Sequence, residues 1–73
     1  MLRIEVDTNN REDLRTIVIP TRLVDTKELI EGRRVILYEP GMEYEAILRR
    51  GRIWPWVADI IDGTEKEVPF EDK

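Results

Sequence analysis

Residues 50–60 read RGRIWPWVADI. Both tryptophans of the chain, Trp54 and Trp56, flank Pro55 directly after a run of arginines. How this stretch enters a sheet decides the fold. If Arg50-Gly51 is a tight reversal, Arg52 to Ile61 forms one long strand, and side chains along it alternate between two faces.

The neighbouring segments extend this reading in both directions. Asp62-Gly63 is a two-residue hairpin signal, after which Glu65 to Phe70 returns as a strand. Upstream, Val35-Ile36-Leu37-Tyr38 is a strand and Glu43 to Leu48 alternates. Between them, Glu39-Pro40-Gly41-Met42 has proline then glycine at its centre, as a type II turn prefers. Further back, Leu2-Arg3-Ile4-Glu5-Val6 alternates as a half-buried strand, and Asp7-Thr8-Asn9-Asn10 is a turn. Thr16-Ile17-Val18-Ile19 is β-branched throughout and stops at Pro20. Asp25-Thr26-Lys27-Glu28 is similar to a capping box, with Gly32 placed as a stop. Residues 26–31 are therefore either a short helical turn or an irregular loop. The expected fold class is mainly β: one small barrel domain of about five to six antiparallel strands over residues 1–73.

With two-residue turns throughout, register follows. Leu37 faces Tyr44 and Val35 faces Ala46; Tyr44 faces Val57 and Leu48 faces Ile53; Val57 faces Val68 and Pro55 faces Phe70. One face then carries Val35, Leu37, Met42, Tyr44, Ala46, Leu48, Ile53, Val57, Ile61, Val68 and Phe70, which is the expected core. The opposite, mixed face carries Arg34, Ile36, Tyr38, Glu43, Glu45, Ile47, Ala58, Ile60, Glu65, Glu67 and Glu71 with both tryptophans, Trp54 opposite Ile47 and Trp56 opposite Glu45. Pro55 cannot donate to a ladder, so an edge or a bulge is expected there. A bulge would shift the register by one and turn one tryptophan inward.

The chain has 73 residues, so its core is small and its stability marginal, which leaves room for a partner or second copy to add to it. It has no cysteine, which suits a reducing cytoplasm and rules out disulfide staples. The N-terminus lacks an apolar h-region, and no apolar run is long enough to span a bilayer. Net charge is −4, all of it carried by residues 54–73, which argues against general nucleic-acid or anionic-membrane binding. Histidine, cysteine and serine are all missing and no glycine-rich phosphate loop occurs, so no enzyme, cofactor or metal site is expected.

Three groups of residues carry the functional alternatives. Trp54, Trp56, Tyr38, Ile36 and Ile47 form an aromatic and apolar stripe, either packed under the N-terminal strands or displayed to a partner. Arg33, Arg34, Arg49, Arg50 and Arg52 gather at one sheet end, either paired to glutamates or forming an anion site beside Trp54. The acidic end (Glu65, Glu67, Glu71, Asp72) is a charged edge that resists aggregation.

Residues 29–72 resemble an SH3-like small barrel of the Tudor type, through Gly32 and Val35, Tyr44-Glu45-Ala46-Ile47-Leu48, Asp62-Gly63 and Val68. The resemblance implies a binding module without catalysis of its own. Tudor-type domains often hold methylated side chains in an aromatic cage, but the register splits the aromatics here between two faces. The leading expectation is a cytoplasmic module that docks a protein or peptide through the stripe. The alternatives are a homodimer or assembly subunit using the same surface, and an RNA or single-stranded DNA binder using the arginines.

Overall fold

The computed structural model describes residues 1–69. These residues are mainly β, in seven strands: β1 (Arg3–Glu5), β2 (Arg11–Asp13), β3 (Thr16–Val18), β4 (Arg34–Glu39), β5 (Met42–Arg50), β6 (Trp56–Ile60) and β7 (Lys66–Glu67). They form one sheet in the order β1-β4-β5-β6-β3-β2, with β7 beside β5. No ladder joins β1 to β2, so the sheet is unclosed. The pairing of β1 with β4 is parallel and the others are antiparallel.

The β4–β5 hairpin forms as its turn residues dictate. Gly41 takes φ +89°, the conformation the second central position of a type II turn needs. Leu37 pairs with Tyr44 and Val35 with Ala46, as the sequence implies. The helical turn also forms, over Thr26–Glu28, where Asp25 accepts a hydrogen bond from the Lys27 amide at 3.0 Å. The Arg33 guanidinium fastens this turn to the start of β4 by donating to the Glu28 carbonyl at 2.9 Å. A further 3-10 turn covers Thr21–Leu23.

The second and third reversals differ from expectation. The last β5–β6 pair is Arg50 with Trp56, so the connection spans five residues, Gly51 to Pro55, rather than two. Leu48 pairs with Ala58, not Ile53, and Ala46 pairs with Ile60. The offset is odd, so it exchanges the two faces of β6. Trp56, Ala58 and Ile60 turn toward the core, and Ile53 leaves the sheet. Trp54 does not pair with Ile47, nor Trp56 with Glu45; Ile47 pairs with Asp59 and Glu45 has no partner in β6.

At Asp62-Gly63 a turn does form, with Gly63 at φ +81°. It does not fold β6 onto β7, because the far edge of β6 is taken by β3, Ile17 against Ala58. The chain instead crosses to β5, where Glu67 meets Met42. The expected pairing of Val57 with Val68 is therefore absent. The expected contact of Pro55 with Phe70 lies outside the described residues.

The core packs Ile4, Val6, Ile17, Ile19, Leu29, Val35, Leu37, Ala46, Leu48 and Ala58, all buried. Trp56, Tyr44 and Ile60 pack against it half-buried. Met42, Ile61 and Val68 are also half-buried. Val57 is buried as well, but on the opposite face, where its Cγ1 lies close to Gly51. Two consecutive buried residues in β6 mean that the strand is covered on both sides.

Candidate interaction surface

Among the described residues six large apolar side chains are exposed: Met1, Leu14, Leu23, Ile30, Ile53 and Trp54. Only Ile53 and Trp54 are adjacent, at 79% and 47% exposure. They occupy the tip of the Gly51–Pro55 loop, which is the element that the two-residue reading missed.

This loop is tied down from two directions. The Gly51 amide donates to the Pro55 carbonyl at 3.3 Å, closing its base. From β2, the Glu12 carboxylate reaches across: its Oε2 accepts from the Arg52 amide at 2.8 Å and the Ile53 amide at 3.0 Å. Two adjacent backbone N–H groups converging on one carboxylate oxygen make a local anion nest, here filled by the protein's own side chain. Gly51 allows the loop to fold this tightly, since the Trp54 carbonyl lies where a Cβ would stand. Pro55 restricts the loop further by fixing its own φ.

The loop amides, that of Ile53 foremost, hold the Glu12 carboxyl below its ordinary value of 4.5, against the opposing effect of burial. A depressed carboxyl contributes its stabilisation above the unfolded value and loses it as pH falls through the folded value. The expected result is that the Arg52 and Ile53 amide resonances stay fixed through neutral pH and move only below about 4.5. Amides that titrate near neutrality, or not at all in acid, would contradict the anchor.

Around the tip the charge is positive. Arg52 is exposed, and the Arg50 guanidinium lies 4.5 Å from the Trp56 ring centroid. That stacking is worth roughly 0.5–1 kcal/mol at an exposed site, and it holds Arg50 beside the loop.

The other candidate residues lie elsewhere. Ile36, Tyr38 and Ile47 do share the outer face, all half-buried, with the Arg3 guanidinium 4.9 Å from the Tyr38 ring centroid. Trp56 is on the core face and Trp54 is in the loop, so the five residues do not form one stripe.

Three of the five clustered arginines are neutralised. Arg33 pairs with Glu28 at 2.7 Å, Arg34 with Glu45 at 2.5 Å, and Arg49 with Asp59 at 2.5 Å. Asp59 also accepts from the Thr16 hydroxyl at 2.6 Å, and the Arg49 contact keeps its carboxyl below the usual range. Only Arg50 and Arg52 remain without a carboxylate among the described residues. Among those residues no group of His, Cys, Asp or Glu side chains is arranged to hold a metal ion. Glu71 and Asp72 of the acidic end lie outside them. Among the described residues no helix is long and apolar enough to cross a membrane.

Glu12 is the residue of this surface that sequence reasoning missed. Its only signal is a carboxylate on the strand before β3, forty residues from the amide it caps. Comparison with known protein families, curated proteins and solved structures finds no match for this chain.

Proposed function

We propose that this chain is a non-catalytic docking module that inserts Ile53 and Trp54 into an apolar pocket on a protein or peptide partner. Arg50 and Arg52 flank the tip, so the complementary pocket has an acidic rim. The observation that carries this reading is the anchored tip itself: two adjacent large apolar side chains held in water on a backbone fixed by Glu12. Anchors of this kind dominate binding energy when they are aromatic or aliphatic and enter a desolvated pocket. A tip whose backbone is already ordered avoids much of the entropy loss on association. The pairing of Arg33, Arg34 and Arg49 with carboxylates favours a protein partner over a nucleic acid.

The experiment compares affinity capture from native lysate by wild type, Trp54→Ala and Leu14→Ala, the last removing a still more exposed apolar side chain from another place (Leu14 is 85% exposed). Trp54→Ala is expected to change folding stability by no more than about 0.5 kcal/mol, as surface substitutions do. It is expected to weaken capture of a specific partner at least tenfold, about 1.4 kcal/mol or more. Leu14→Ala should retain that partner. Equal capture by all three proteins would refute the reading.

A further inference from the structure

The β1 edge offers a second surface, on a different side of the molecule. Among the described residues β1 pairs only with β4. The Leu2 carbonyl accepts from the Ile36 amide at 2.9 Å, and the Val6 amide donates to the Tyr38 carbonyl at 3.0 Å. Even-numbered residues therefore turn their backbone groups toward β4. By the alternation of a strand, Arg3 and Glu5 turn theirs outward, to the unpaired edge. Such an edge is a template for another strand.

The sequence of this edge is self-complementary. In an antiparallel pairing with a second copy, centred on Ile4, Arg3 faces the partner's Glu5 and Glu5 faces the partner's Arg3. These are the residues whose N–H and C=O groups point outward, so each opposed pair exchanges two backbone hydrogen bonds. Ile4 faces Ile4 of the partner subunit, and Leu2 faces the partner's Val6. Both charged pairs are of opposite sign, which stabilises directly opposed positions, whereas a parallel pairing in register would oppose like charges. The Arg3 side chain is already held, 2.8 Å from Glu43 and over Tyr38, and its guanidinium has further donors to offer. Glu5 makes no salt bridge among the described residues.

Space exists beside the edge. A groove of about 500 Å³ lies between Leu2–Glu5 and the Leu23–Asp25 segment. Leu23, 72% exposed, stands on its wall and supplies apolar surface to a strand lying there.

We propose that β1 pairs antiparallel with β1 of a second copy of this chain, in the register that sets Arg3 against Glu5, to form a two-fold symmetric dimer whose sheet runs across both subunits. A two-fold contact of this type closes on itself and does not propagate. Three ladder residues and one flanking leucine make a small interface, so the dimer is weak, with a dissociation constant on the order of 0.1 mM.

Sedimentation equilibrium at concentrations up to about 1 mM tests this. Arg3→Glu sets like charges opposite each other twice and is expected to weaken the dimer about tenfold or more. The charge-swapped pair Arg3→Glu with Glu5→Arg restores opposite signs and is expected to recover wild-type association, although it does not restore the contact with Glu43. Glu5→Pro removes an outward N–H that the monomer does not use, and is expected to leave a folded monomer by circular dichroism. A wild type that is monomeric throughout, or a charge swap that fails to recover the dimer, overturns the proposal. So does a dimer that dissociates on Trp54→Ala but not on Arg3→Glu, since that places self-association on the loop tip.

Discussion

Leu48→Ala is expected to cost about 2–5 kcal/mol of folding stability, while Ile53→Ala costs less than about 0.5 kcal/mol. A two-residue turn at Arg50-Gly51 would oppose these residues on one sheet face and make both core positions. In the structure Leu48 is fully buried against Ala58, and Ile53 is 79% exposed at the loop tip. Removing Leu48 leaves a cavity among Ile4, Val35, Leu37 and their neighbours, and the loss of transfer free energy and of packing add. Removing Ile53 leaves nothing unfilled. In a chain of 73 residues the Leu48 cost is a large share of the whole stability. Urea unfolding of both variants reads the difference directly. Equal losses would return Ile53 to the core and with it the shorter turn.

That contrast marks how far local chemistry reaches. The β4–β5 hairpin was legible because Pro40-Gly41 names its turn and the strands alternate up to it. At Thr26–Glu28, where a helical turn and an irregular loop were both open, Asp25 settles the turn by the same kind of local rule, through a side chain capping an amide two residues on. Arg50-Gly51 misled because glycine has two uses. Gly51 does not adopt positive φ; it is needed for close approach, beneath the Trp54 carbonyl. Pro55 did signal an interruption, but a bulge of one residue and a loop of five are both consistent with it.

The pairing of β1 with β4, of β3 with β6 and of β7 with β5 could not be read at all. Each depends on which strand edge is still open once the others have formed. Asp62-Gly63 is the clearest example: the turn is present, yet its natural partner edge is occupied by β3. The candidate site was legible in composition and not in place. For Trp54 packing and display were both open; it is 47% exposed, and it lies in a loop rather than on a sheet face. Its neighbour Trp56 packs against the core because the odd register offset turned β6 over.

Gly51→Ala is expected to destabilise the protein by about 1–3 kcal/mol and to abolish the fixed geometry of the loop tip. A Cβ at this position would fall on the Trp54 carbonyl oxygen, with Glu12 Oε2 at 2.9 Å and Val57 Cγ1 at 3.0 Å. The Trp54 oxygen belongs to the backbone, so the clash cannot be relieved by a side-chain rotation. The loop must lift, which pulls the Arg52 and Ile53 amides away from Glu12 and uncovers Val57. Gly51 does not adopt a positive φ, so the cost comes from the contact and not from a left-handed backbone. Gly32→Ala is the converse control: nothing lies within 4 Å of its Cβ, and its cost comes only from φ +87°. Thermal unfolding measures both losses, and only Gly51→Ala should shift the exchange rates of the Arg52 and Ile53 amides. Glu12→Ala releases the same loop without any clash. Since both substitutions undo one closure, the double variant should lose less than the two single losses added together. Strict additivity would mean that Glu12 and Gly51 act on separate elements, and the Ile53–Trp54 tip would then lack the anchored backbone on which its docking role depends.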